Sequence, residues 1–250
     1  MVSGFHDRAL NDSTRELKNT ALILSEQLDR SFQAVELVQD NIIAGMEALH
    51  ITSSQDYARQ MSGHDVHLML KNKINGLVHV EVLTLVDADG NLINFSKDWP
   101  VATVNVADRD YFKALRSGEL RSSISMPVKS RIDGKWTVLH ARRIVAPNGQ
   151  FLGAVVAAVQ LSYFDKLFSS IVLEESGSVG LHRSDGSLLT RYPSVESAIG
   201  KPFTAALDAM GNRDSGTTTF LGTMAGKSAC SQPASCLTSR CTSQCLWTRR

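Results

Sequence analysis

The first 229 residues of this 250-residue chain contain no cysteine; Cys230, Cys236, Cys241 and Cys245 all fall at the end. A cysteine-free body suits an oxidising compartment as well as a reducing one. The four spacings match no Cys-x-x-Cys zinc pair, so no metal site is expected there. Long apolar runs are missing too. The longest, LGAVVAAVQL at 152–161, has strand length, far short of the roughly 20 residues of a membrane helix. The opening MVSGFHDRALNDSTRE lacks the apolar h-region of a signal peptide. Those absences leave a cytosolic protein or a soluble piece of a longer membrane protein. Neither sign of charge dominates: Lys plus Arg is 26 against 25 for Asp plus Glu. With no basic stripe and no interleaved aromatics, nucleic-acid binding is excluded as a reading. Enzyme signatures are absent as well: no G-x-S-x-G elbow, P-loop, H-E-x-x-H or dinucleotide fingerprint. Asp108 and Asp110 are close enough for acid/base work, but no nucleophile or His stands near them in sequence. The chain therefore reads as no enzyme, with no cofactor.

What is present begins with a helix. Neither Gly nor Pro occurs between Gly4 and Gly45, and residues 11–60 read as one long helix, about 45 residues of which make a rod of roughly 65 Å. Asp12 or Ser13 caps its start, with Glu16 three residues beyond Ser13. Ala21, Leu28, Val35, Ile42 and Leu49 recur every seven residues. Leu17, Leu24 and Val38 fill a second seam, with Ser31 and Gly45 as its small members. Such a stripe either lies along two domains or pairs with another chain. A shorter helix is expected over 64–76, carrying His64 and His67 at a spacing that can bind metal. Without a third ligand at useful spacing, the two histidines read as a surface or partly buried pair. Trp99 before Pro100 anchors a loop, since an X-Pro step favours extended chain.

From residue 77 the grammar changes to strand, turn, strand. VHVEVLTLVDADGNLINFS turns at Asp89-Gly90, and three more β runs follow, punctuated at Asp133-Gly134 and Asn148-Gly149. Turn dipeptides between β-branched runs predict an antiparallel sheet of about five strands. A helix over 108–118 interrupts them, and another over 162–172 follows. LVDADGNLI at 85–93 then recurs as LHRSDGSLL at 181–189, an offset of 96 residues that suggests two related modules. The tail AGKSACSQPASCLTSRCTSQCLWTRR shows neither helix nor strand period. It reads as a non-native-like end, frame-shifted or vector-derived.

This order of elements, with Asp110-Tyr111-Phe112, Leu139-His140-Ala141-Arg142-Arg143, Asn148 to Gly153, Tyr163-Phe164, Asp185-Gly186 and Arg191-Tyr192-Pro193, resembles a double Cache sensor. These are tandem PAS-like (PDC-type) extracellular regions of bacterial histidine kinases, diguanylate cyclases and chemoreceptors. The resemblance covers roughly residues 10–225 and implies an α+β fold, a long N-terminal helix followed by two modules with antiparallel sheets. The expected division is 1–62 for the helix, 63–165 for a membrane-distal ligand-binding module and 166–228 for an incomplete membrane-proximal one. Residues 229–250 form the atypical tail. In the family, ligand sits between the distal sheet and the loop-helix crossing it. Amino-acid-binding members clamp it with an R-x-W-Y motif and an Asp on the last strand. Arg109 stands at that Arg, Tyr111 and Phe112 replace Trp and Tyr, and Ala158 occupies the Asp position. A buried ammonium would then lack a counter-charge, which disfavours an amino acid and favours a small carboxylate.

The expected ligand contacts are Arg109, Asp110, Tyr111, Phe112, His140, Arg142 and Lys129, weighed against plainer roles. Asp108 and Asp110 also suit a helix start on dipole grounds, and Tyr111 and Phe112 also suit core packing. Strand alternation sends Arg142 and Arg143 to opposite faces, with His140 sharing the face of Arg142. Function follows as an expectation. A ligand binds the distal module, shifts the long helix and signals through a membrane-anchored parent, a periplasmic sensor dimerising by that helix. The rivals are a structural or dimerisation module without ligand, and an enzyme on a PAS-like scaffold.

Overall fold

The computed structural model describes residues 2–130, 134–171, 178–202, 215–221 and 242–248. The chain divides into two compact units, Ser31–Tyr163 and a second made of Met1–Arg30 with Phe164–Arg250. The N-terminal helix α1 spans Val2–Ala48 and belongs to both. It stops short of the expected 60 because His50 adopts a left-handed backbone (φ 53°). The chain restarts at Ser53, whose hydroxyl accepts the Asp56 N–H at 3.1 Å and caps α2, Ser54–Met61. Helix α3, His64–Lys73, follows directly.

The larger unit is built on one antiparallel sheet. Its strands are β1 (Val80–Asp87), β2 (Leu92–Phe95), β3 (Ser122–Ile124), β4 (Val128–Lys129), β5 (Trp136–Val145) and β6 (Phe151–Gln160), in the order β2-β1-β6-β5-β3 with β4 also on β5. The central strand β6 is buried from Leu152 to Val159, as a run without polar alternation requires when both faces are covered. On one face lies α1. Gln39, fully buried, donates from Nε2 to the carbonyls of His140 (2.9 Å) and Val155 (3.3 Å), tying the helix to β5 and β6. Within this unit Ser31, Val35 and Ile42 of the seven-residue stripe are buried, whereas Leu49 of the stripe is 56% exposed and Leu37 on the outer side 63%. The other face carries α4, Asp110–Ser117. Its Tyr111, Phe112 and Leu115 pack on Val86, Ala141, Ala154 and Val156.

In the second unit, α5 (Leu161–Ser170) leads to a hairpin of β7 (Val179–His182) and β8 (Leu188–Tyr192). The turn repeats the β1–β2 turn bond for bond. Asp87 N–H donates to Asn91 O (2.9 Å) and Gly90 N–H to Asp87 O (3.1 Å). Ninety-six residues on, Arg183 N–H donates to Ser187 O (2.9 Å) and Gly186 N–H to Arg183 O (2.8 Å). The register also slips at the same place, after Leu85 in one hairpin and after Leu181 in the other. The carboxylates that stiffen the two turns differ. Asp87 accepts the N–H groups of Asp89 and Asn91, whereas Asp185, two positions later in the repeat, accepts Ser187 N–H and pairs with Arg183. Finally, β9 (Ser215–Leu221) pairs antiparallel with β10 (Thr242–Thr248). The terminal segment thus holds a strand where its sequence shows no strand period. The Asp133 part of the expected Asp133-Gly134 turn lies outside the described residues.

Candidate functional site

Helix α4 crosses the sheet as a lid, and the segment leading to it is clamped to the β1–β2 turn. Leu92 N–H donates to Val104 O (3.0 Å) and Val106 N–H to Gly90 O (2.8 Å). Asn105 adds side-chain bonds to Asp89 O (3.1 Å), to Asn91 Oδ1 (2.8 Å) and from Ala107 N–H (2.9 Å). Arg109 is the residue just before α4, with extended backbone (φ −70°, ψ 140°), and its carbonyl accepts Lys113 N–H to start the helix. Asp110 accepts Tyr111 N–H at 2.8 Å, a negative charge at the positive end of the helix. The helix closes at Gly118, in the left-handed region.

Inside the lid the rings point at the sheet. Tyr111 is 4% exposed and Phe112 is fully buried, edge-on to Phe151 with centroids 5.8 Å apart. Burial pushes the Tyr111 phenol up to about 12, the Arg109 charge draws it down, and Asp110 and Asp108 push it up. The Arg109 guanidinium is therefore felt at the Tyr111 hydroxyl. Among the described residues it forms no ion pair with Asp108, Asp110 or any other carboxylate, although aspartates flank it in sequence. The strand pairing lets the opposing wall be read off. Val82, Thr84 and Val86 of β1 oppose Ala158, Val156 and Ala154 of β6, which oppose Leu139, Ala141 and Arg143 of β5. None of these nine residues is a carboxylate.

The structure divides the expected contacts between the two faces of the sheet. Arg109, Asp110, Tyr111 and Phe112 lie together in the lid. His140 and Arg142 face α1 instead. His140 Nδ1 pairs with Gln39 Oε1 at 2.8 Å, and Arg142 reaches Asp40 at 2.6 Å and the Glu36 carbonyl. Burial first, then the Arg142 charge, lowers His140 to about 4, so the ring is neutral at pH 7. Lys129 stands apart on β4, its ammonium 5.2 Å from the centroid of Trp136. The cation that does share the lid face is Arg143. Its guanidinium lies 5.5 Å from the Phe151 centroid and under Gly118 at the end of α4, with a buried Nε that has no hydrogen-bond partner among the described residues. Thr137, 2% exposed, falls on the same side by alternation, and its hydroxyl is likewise unpartnered. Counting outward from Ala141 along β5 was the signal for both.

A lid helix thus covers one face of the antiparallel sheet and the long helix the other. The Cache domain model matches residues 5–229. The chain belongs to the Cache domain family. Solved structures with this fold are described as an extracellular domain of a histidine kinase and as sensory or ligand-binding domains of chemoreceptors. The extracellular domain of rpHK1S-Z16, described as a histidine kinase, is 27% identical with a TM-score of 0.70, over 86% of this chain and 85% of that one. The periplasmic sensory domain of the Campylobacter jejuni chemoreceptor Tlp1 shares the fold at 13% identity and TM-score 0.61, over 81% and 83%. So does the ligand-binding domain of the Pseudomonas aeruginosa PAO1 amino-acid chemoreceptor PctC in complex with GABA, at 13% and 0.54, over 77% and 80%. No curated protein sequence matches this Cache domain. Among the described residues, no helix is long and apolar enough to cross a membrane.

Proposed function

We propose that residues 63–165 are the membrane-distal, ligand-binding module of a double Cache sensor and residues 166–228 its membrane-proximal module, with 229–250 as an atypical tail. The parent is a membrane-anchored bacterial signalling protein, and the ligand is a small organic carboxylate held by Arg109 beneath α4. The observation that carries this reading is Arg109, at the start of the lid helix and paired with no carboxylate among the described residues. Arginine offers a planar fork that matches a carboxylate. The wall below it has no acid to neutralise an ammonium, and Ala158 stands where the resemblance places the aspartate of amino-acid binders. An uncompensated ammonium there is costly, so amino acids are disfavoured. The repeated hairpin at an offset of 96 residues supports the tandem organisation. Because Tyr111 and Phe112 fill the space under the lid, ligand entry displaces α4. A ligand that prefers the displaced form shifts the population and thereby the helices that connect to the output.

Thermal-shift screening against short monocarboxylates, dicarboxylates, amines, sugars and nucleobases tests the reading. A carboxylate at about a hundred times its Kd should stabilise the folded domain by about 2.7 kcal/mol, and Arg109→Ala should abolish the shift while leaving the unliganded midpoint within about 1 °C. Stabilisation by no carboxylate overturns the ligand assignment and favours a purely structural lid. A shift that survives Arg109→Ala relocates the site.

A further inference from the structure

We propose that His64 and His67 form a binding site for a first-row divalent transition-metal ion, with Trp99 as its aromatic wall. One helical turn apart on α3, the two imidazoles share a face. Their rings are stacked, with centroids 5.6 Å apart and planes inclined by 21°. Trp99 closes on both, 5.7 Å from His64 and 5.9 Å from His67. His67 is only 6% exposed, and its Nδ1 lies 2.7 Å from the Phe95 carbonyl. A carbonyl can only accept, so Nδ1 carries a proton, and in the neutral ring Nε2 is then the nitrogen with the lone pair. Donating one ring N–H to a backbone carbonyl is how proteins orient a metal-binding histidine. No hydrogen bond reaches that Nε2, or either nitrogen of His64, among the described residues.

Imidazole nitrogens suit nickel, copper and zinc and have little affinity for calcium or magnesium. Among the described residues no group of three or more His, Cys, Asp or Glu is placed to hold a metal. Two imidazoles with water in the remaining positions make an exchangeable site, open to the medium, and not a closed structural one. Trp99 and Phe95 lie in and just before the segment that runs from β2 to the lid, so the ion would be felt on the chain that carries Arg109.

The test is a Ni(II) titration of the full chain followed by tryptophan fluorescence. Trp136→Phe and Trp247→Phe leave Trp99 as the sole emitter, and iodoacetamide blocks the four thiols, which bind nickel themselves. Saturable quenching at one equivalent is expected, weakened at least tenfold by His64→Ala, an exposed change that does not threaten folding. His67→Asn keeps a donor for the Phe95 carbonyl but removes the ligand nitrogen, and should weaken binding as much. Quenching that does not saturate below about 1 mM, or a His64→Ala protein that titrates like its parent, overturns the site and leaves an aromatic packing cluster.

Discussion

Gly153→Ala is expected to leave little folded protein, or to cost about 4 kcal/mol or more in urea denaturation at neutral pH. Gly153 lies in β6 opposite Asp87 of β1, with a φ of 149°. A Cβ there would sit 2.0 Å from the Val86 carbonyl oxygen and 3.0 Å from both its carbon and Tyr57 Cε1. None of these neighbours can yield. The carbonyl belongs to the adjacent central strand, and Tyr57 is completely buried. Its hydroxyl has no partner among the described residues, and burial pushes its pKa far up. Relief would need β1 to part from β6, opening the ladder on which both faces are built. That exceeds the 0.5–3 kcal/mol of ordinary substitutions. Gly149→Ala is the control. It also has a positive φ of 84°, but a Cβ there meets nothing within 4 Å, so it should cost only the backbone strain, about 1 kcal/mol. If the two variants cost the same, the close approach of β1 and β6 is wrong.

The elements that were legible in the sequence are those whose signals are local. The Asp89-Gly90 and Asn148-Gly149 turns, the lid helix ending at Gly118 and the β-branched runs each carry their own chemistry, and the structure places them within a few residues. The end of α1 was less legible. Leu49 and His50 look helical in isolation, and the break depends on Ser53 capping a new helix. The stripe on α1 left open whether it lies along two domains or pairs with another chain, because periodicity shows that a face is apolar, not what covers it. Here Gln39, a buried polar residue beside that stripe, was the overlooked signal, since its amide reaches backbone carbonyls of two strands. The lid side of the site was readable as a cluster around Arg109. The sheet side was not, because the choice between Arg142 and Arg143 depends on which face α4 occupies, and that is set by long-range pairing. Only when Ala141 is seen under Phe112 and Leu115 does Arg143 fall on the lid side and His140 on the helix side.

That placement makes His140 the source of a second large effect. Acidification from pH 7 to pH 5 should cost the wild-type protein about 2 kcal/mol more than it costs His140→Gln. The ring is 3% exposed, and burial lowers it to about 4, against about 6.5 in an unfolded chain. Between those values the unfolded chain binds a proton that the folded one refuses, so protons favour unfolding. The stabilisation is complete above pH 6.5 and is lost as pH falls toward 4. Glu36 opposes this, since its carboxylate lies 3.6 Å from His140 Nε2, but it is half exposed. Water screens it, while burial and the Arg142 charge disfavour the imidazolium, so the downward direction holds. His79 and His182 are also lowered by burial and add to the acid loss in both proteins, which is why the comparison is a difference. Asp185, held to about 2 chiefly by its hydrogen bond from Arg183, acts only below about pH 4 and does not blur the window. Urea midpoints at pH 7, 6 and 5 measure the effect. Parallel losses in the two proteins would show that His140 accepts its proton in place, and that the Gln39 contact between α1 and the sheet survives acid.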